Sequence, residues 1–368
     1  MPASVEGRHL RRSPLCGDFG AMKACFRSVV ALFPLVLAAL APYPVVAWDY
    51  EGHRMVNQIA LASLPKDFPA FVREPVAAER IAFLSGEADR WRNSPDASLR
   101  HVNEPDHFFD IEDLRPHGLS VSNLSPFRHV FTVALSEGRK ANPSGVPPVA
   151  EARNQNQNRQ LTGFLPWCIA ENYAKLKSGF SYLKAFEENG TAEESDNARQ
   201  NIIYIMGVMG HYAGDAAQPL HTTRHYNGWV GPNPSGYATN TTFHSWIDGG
   251  FNIRAGLKLE ELSGGIRPAK PLFDTIAPPN RPHEVFPVAV RFLVEQHAKV
   301  EPLYVLEKER KLSGETGTET EGKAFLGGQI LKGGQFLGDL WVTAWKEATP
   351  DTFLRAQLIK RKLGGKSR

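Results

Sequence analysis

The sequence predicts a mostly α, single-domain fold with long loops. Five segments repeat apolar residues at helical spacing, and no segment sustains the alternation of a half-buried strand. Gly 32 and Pro 27 point to long connections. The 368 residues allow one large domain or two ordinary ones. No internal repeat and no clear linker divides them. Apolar residues at 42% and charged residues at 22% exclude long disorder, collagen-like and coiled-coil readings.

The first helix is expected over 53–64, where Met55, Val56, Ile59 and Ala62 share a face. A second is expected over 164–186, entered through Pro166-Trp167. A third spans 196–217. Its Ile202, Ile203, Ile205, Met206, Val208 and Met209 cover most of the circumference, which predicts a buried helix. A fourth, over 287–312, should bend at Pro302. In the fifth, over 324–347, Gly327, Gly334 and Gly338 lie on or near one face and either admit another helix or weaken their own. Residues 113–163, 222–241 and 254–285 read as long loops. The segment 356–368 reads as a basic, frayed tail.

The N-terminal region reads as a processing signal. Met22 to Arg27 is a short basic start, 29–41 is apolar and interrupted by Pro34, and Val45-Val46-Ala47 offers small residues for cleavage. The stretch is too short to span a bilayer. Residues 1–21 add nothing to this anatomy, so Met22 is the expected start. The domain is expected over 48–355, outside the cytoplasm, secreted or periplasmic. An uncleaved anchor is the alternative.

Cleavage after Ala47 would remove five basic residues (Arg8, Arg11, Arg12, Lys23, Arg27) and two acidic ones (Glu6, Asp18). The remainder is neutral, so a large cationic face for duplex nucleic acid is not indicated. Cys16 and Cys25 would leave too. Cys168 then stands alone, which excludes an internal disulfide and leaves the core or metals to hold the fold. Asn123, Asn189 and Asn240 begin glycosylation triplets, a pattern frequent by chance.

The chemistry lies in histidines and aspartates. His211 and Asp215 are four apart on the predicted buried helix, so both reach one point in space. Two polar groups within an apolar helix need partners, and a metal satisfies both. Pro219 stops that helix and His221 follows. His244 and Asp248 repeat the spacing. Upstream lie Trp48, His53, Asp89 and His107-Phe-Phe-Asp110. Each alone reads more simply as a surface group or a local hydrogen bond. Histidines 101, 117, 129, 225, 283 and 297 lack such context and read as surface or loop residues.

As an ordered set, these residues resemble the nuclease type I family. Its members are secreted single-strand-specific zinc nucleases related to bacterial zinc-dependent phospholipase C. The matching motifs cover 48–248. The long loop 113–163 and the single cysteine depart from the disulfide-stapled fungal members. The resemblance implies the helical fold of that superfamily and three Zn2+ ions per chain. Asp89, His107, His211 and Asp215 would hold the first. His221, His244 and Asp248 would hold the second. His53 with the free amine and carbonyl of Trp48 would hold the third, and Asp215 would bridge the first and third. An N-terminal amine titrates near pH 8, so a metal takes it deprotonated.

The resemblance also implies a hydrolase, an endonuclease and 3′-nucleotidase leaving 5′-phosphates on single-stranded DNA or RNA. Asp89 and Arg92 would be the catalytic residues; Arg92 matches a phosphate-contacting position, Phe108 a base-stacking position and Asp110 a position for the base edge. Plainer readings are a surface ion pair, a core ring and a helix cap. No stable protein partner and no membrane span after cleavage are expected. Three rivals remain: a zinc-dependent phospholipase C, a non-catalytic zinc- or nucleotide-binding envelope protein, and a structural helical protein. Asp248, where those phospholipases carry glutamate, and the spacing from Trp48 to His53 favour the nuclease.

Overall fold

The computed structural model describes residues 48–365 apart from 147, 150, 274–284, 316 and 318. The expected signal, residues 1–47, lies outside the described residues, as do His283 and the end of the 254–285 loop. The described residues belong to one unit, Val45–Arg368. They contain helices and no strand, as the sequence predicts.

The chain opens with α1 (Tyr50–Ser63), whose N-cap Asp49 accepts from Gly52 N at 3.0 Å. Three shorter helices follow: α2 (Pro75–Leu84), α3 (Glu87–Arg92) and α4 (Ala97–Asn103). Next come α5 (Arg128–Ala141), α6 (Leu165–Asn189) and α7 (Ala192–Ala217). The last group is α8 (Val285–His297), α9 (Val300–Lys308), α10 (Thr320–Glu347) and α11 (Thr352–Gly365).

Helix α7 is the axis of the fold. A reciprocal cap between Thr191 and Glu194 starts it, four residues ahead of the expected Asp196. Every residue from Met206 to Ala217 is buried. Helices α1, α2, α6 and α10 pack on it. Glycines let them approach. A Cβ on Gly210 would fall 1.5 Å from Asn57 Oδ1, and one on Gly214 would fall 2.7 Å from His53 Nδ1. Helix α10 reaches α1 similarly: a Cβ on Gly334 would meet Ile59, and one on Gly338 would meet Ser63 Oγ at 2.3 Å. The expected close approach is therefore made at Gly334 and Gly338, whereas Gly327 faces Leu257 and Leu262.

Three expectations are corrected. The loop 113–163 contains α5, an amphipathic but largely polar helix that buries only Phe131 and Leu135. The segment 287–312 is two helices, broken at 298–299 rather than bent at Pro302. Pro302 sits in the first turn of α9, where its missing N–H has no intrahelical partner to lose. The basic tail does not fray over its described part. Helix α11 runs to Gly365, with Leu358 buried and Arg361 paired to Glu194 through both carboxylate oxygens at 2.7 Å.

Cys168 is free and buried on α6. No helix among the described residues is long and apolar enough to cross a membrane.

Candidate metal centre

The apolar stretch of α7 brings His211 and Asp215 to the centre of the protein, both fully buried. Four other elements aim side chains at the same point. Helix α1 supplies His53, α3 supplies Asp89, the turn Glu104–His107 supplies His107, and the turn Pro219–Thr222 supplies His221. The last pair, His244 and Asp248, rides on a short helical segment that widens into a π-turn over Trp246–Gly250. Such turns recur at functional sites.

The distances are those of a shared centre. Asp215 Oδ2 lies 3.0 Å from His107 Nδ1 and 3.2 Å from His211 Nε2. Asp215 Oδ1 lies 3.5 Å from both His53 Nε2 and His221 Nδ1. His211 Nε2 faces His107 Nδ1 at 2.9 Å. On the other side, His244 Nε2 lies 2.8 Å from Asp248 Oδ2 and 3.1 Å from His221 Nε2. Three groups have ligand atoms within 4.8 Å of one another: His53, Asp89 and His211; His107, His211 and Asp215; His221, His244 and Asp248. The first two share His211, so the deep residues form one continuous cluster.

Hydrogen bonds around the cluster set the tautomers. His211 Nδ1 lies 2.7 Å from Ser85 O, and His221 Nδ1 lies 2.5 Å from His107 O. A carbonyl can only accept, so in each neutral ring the proton sits on Nδ1. The lone pair on Nε2 then points into the cluster, the arrangement of metal-ligating histidines. Gln218 Nε2 donates to Asp248 Oδ1 at 2.6 Å and holds that carboxylate from outside. Both ring nitrogens of His53, Nε2 of His107 and Nδ1 of His244 are buried without a hydrogen-bond partner. Buried polar atoms left unpaired cost free energy that a cation would offset.

Electrostatics agree with a ligand set. Burial first, and then neighbouring imidazoles or Arg92, holds His53 and His107 well below the usual imidazole range, so both are neutral. Burial also lowers His221. Burial alone would lower His211, but the Asp215 and Asp89 carboxylates reverse it. Burial opposes ionisation of Asp215, yet His221 and His211 outweigh it and keep this carboxylate ionised. The donor set is hard oxygen plus borderline nitrogen, suited to zinc-like divalent ions. These buried clusters could hold metal ions.

Trp48 is fully buried beside them. Its indole donates to Gly214 O at 2.9 Å, and Asp49 N donates to Asp248 O at 3.1 Å. The chain at Trp48 thus runs between the helix of Asp215 and the segment of Asp248.

A cleft of about 560 Å³ opens onto His107, His221 and His244. Arg92 lines it and contacts Asp89 Oδ1 through Nε at 3.1 Å. Beyond the turn that ends at His107 the chain alternates: Phe109 enters the core, fully buried, while half-buried Phe108 and Asp110 line the cleft. Phe108 is therefore not the core ring of the plainer reading. Burial, and then Asp113 and Glu112, pushes the Asp110 carboxyl well above its usual range.

Sequence reasoning missed Asn158, Arg159, Arg224, Tyr226 and Asn227, which complete the cleft. The polar run 154–158 was the available signal for the first. Two histidines read as surface or loop residues are buried instead. His117 Nδ1 lies 2.8 Å from Asp113 O, and His225 stacks on Trp229 with centroids 4.0 Å apart. Their partners are turn carbonyls and an aromatic ring, which no helical spacing reveals.

The described chain is thus an all-helical protein with a buried His/Asp centre under an arginine-lined cleft. No protein-family model matches the chain, and no curated protein matches it.

Proposed function

We propose that the protein is a zinc-dependent phosphodiesterase that cleaves single-stranded nucleic acids to 5′-phosphates, an endonuclease of the nuclease type I kind with that superfamily's helical fold. One observation carries the reading. His211 and His221 are held by backbone carbonyls so that each presents Nε2 to a buried His/Asp group, His211 to that of His107 and Asp215 and His221 to that of His244 and Asp248. Three zinc ions would be held by the residues assigned from the sequence, with His53 and the amine and carbonyl of Trp48 completing the set. Zinc bound there supplies Lewis acidity and lowers the pKa of bound water to about 7.

The chain's own groups do the rest. Asp89, buried beside His211, anchors Arg92 at the cleft edge, where the guanidinium can take a phosphate oxygen and oppose charge developing in the transition state. Phe108 offers an apolar wall on which an unstacked base can lie. Stacking tolerates any base but requires it to be free of a duplex, which gives single-strand preference. Asp110, biased toward its protonated form, can donate to an acceptor on a base edge. The ionised Asp215 sits between two imidazole sets and fixes their spacing. We place the protein outside the cytoplasm, after removal of 1–47.

The test is hydrolysis by protein stripped with chelator and reloaded with zinc. Single-stranded DNA and RNA should be cut, duplex slowly, phosphatidylcholine not. Turnover of phosphatidylcholine alone would replace this reading with the phospholipase. Tight zinc binding with no hydrolysis would replace it with a binding protein.

A further inference from the structure

We propose that an arginine-lined groove running away from the metal centre is a subsite for the sugar-phosphate backbone of a single strand, several nucleotides beyond the scissile bond. The inference rests on the nuclease reading above and adds that the preferred substrate is an oligomer rather than a mononucleotide.

Three cavities join into this groove. The cleft over His107, His221 and His244 shares Asp113, Arg159, Leu161 and Arg224 with a neighbouring cavity of about 250 Å³. That cavity shares Pro116, Gly145 and Arg224 with a third, of about 730 Å³. Arg224 lies where all three meet. Arg139 lines the second and Arg115 the third. A mononucleotide held against Phe108 and Arg92 would leave the two outer cavities empty.

The two arginines nearest the centre are held loosely. The Arg159 side chain is 53% exposed and meets Glu104 at 3.4 Å. Arg224 is 44% exposed and meets Asp113 at 3.4 Å. Single long contacts at exposed side chains are weak and easily exchanged. The groove also carries Glu104, Asp110, Glu112 and Asp113, and the first and third of these are held by polar neighbours. Glu104 accepts from Asn156 at 2.9 Å and Asn158 at 3.0 Å, and Glu112 accepts from Thr223 Oγ1 at 2.5 Å. Deeper in, Arg139 donates to Gln160 O, while its buried Nε has no hydrogen-bond partner. Guanidinium forks spaced along a groove match successive phosphates, since each takes a phosphate in planar, bidentate fashion. Residues 48–368 carry as many acidic as basic side chains, so the attraction offered by these arginines is local and suits one flexible strand.

The experiment uses zinc-loaded protein and single-stranded oligonucleotides from two to twelve nucleotides long. The readouts are kcat/KM against length and the salt dependence of binding to a phosphorothioate twelve-mer. In the wild type, kcat/KM should rise with length. Arg159→Ala and Arg224→Ala should each lower the long-to-short ratio by about tenfold, the worth of one charged hydrogen-bonded contact. Each should also flatten the slope of log K against log salt by about 0.7, one released counterion on a single strand. If wild-type kcat/KM is independent of length, or both variants keep the wild-type ratio and salt slope, the groove is not a subsite although the nuclease reading survives. Equal losses on short and long strands would put these arginines at the reacting phosphate or in the fold, and also overturn the inference. Zinc-loaded protein that cuts no oligonucleotide at any length overturns the nuclease reading itself.

Discussion

The floor of the cleft and its wall are made from different material. On the floor, His53, Asp89, His211 and Asp215 come from helices, are buried, and are held by neighbours that leave little freedom. On the wall, Phe108, Asp110, Arg159 and Arg224 come from turns and extended chain, and the two arginines are about half exposed. A centre that must bind ions needs donor atoms fixed in advance. A surface that must accept strands of varied sequence needs groups that can readjust. The floor should therefore respond to substitution through metal binding and stability, and the wall through substrate alone.

The largest effect is expected at His211. His211→Ala should lose both metal and hydrolysis, measured by elemental analysis and turnover. It also leaves buried Asp215 short of a partner, a loss of about 3–5 kcal/mol in the metal-free fold by chemical denaturation. Full activity in that variant would remove His211 from the centre.

Next is Gln218, whose side-chain amide reaches the centre at Asp248 Oδ1. Gln218→Met should weaken zinc at the His221, His244 and Asp248 group by about 10–100-fold, the usual effect of deleting a group that orients a ligand. Competition with a chromophoric chelator would measure it. Unchanged affinity would show that Asp248 needs no outside support.

At the wall, Phe108→Ala should weaken nucleotide binding by about 1–3 kcal/mol, the worth of one stacked base, with the zinc count unchanged. A changed zinc count would blur the division between floor and wall.

The smallest effect concerns pH. In metal-free protein, His53, His107 and His221 sit below the ordinary imidazole value of 6.5 and His211 above it. A lowered group binds its proton less readily folded than unfolded, so its stabilisation is present above 6.5 and lost as pH falls. The raised His211 acts oppositely, stabilising at low pH and losing that effect as pH rises through its folded value. His225 is lowered as well, so four imidazoles favour the higher pH, against His211 and the carboxyls of Asp106, raised to about 6, and Asp110. With the imidazoles in the majority, the melting temperature of chelated protein should drop between pH 7 and pH 5. A rise over that interval would mean that His211 and the raised carboxyls dominate.

The same division explains what was legible in the sequence. The helical period of α7 and the i, i+4 spacing of His211 and Asp215 report directly on geometry, because a buried helix leaves those groups one direction to face. The pair His244 and Asp248 was legible by the same spacing, although its π-turn was not. That His53, Asp89 and His107 converge on them could be expected only from a family resemblance, since no local pattern encodes contacts between distant elements. Helix α5 went unseen because it is largely polar and buries only Phe131 and Leu135. The break at 298–299 went unseen because Pro302 drew the expected bend. Arg159 and Arg224 lie in irregular chain, where spacing carries no information about direction.

The most direct measurement is the zinc content, by elemental analysis, of folded chain beginning at Trp48, beside that of the untrimmed chain. Three ions per trimmed chain, and fewer when residues precede Trp48, are predicted. Trimmed, folded protein that carries no stoichiometric transition metal after equilibration with zinc would contradict the account at its centre.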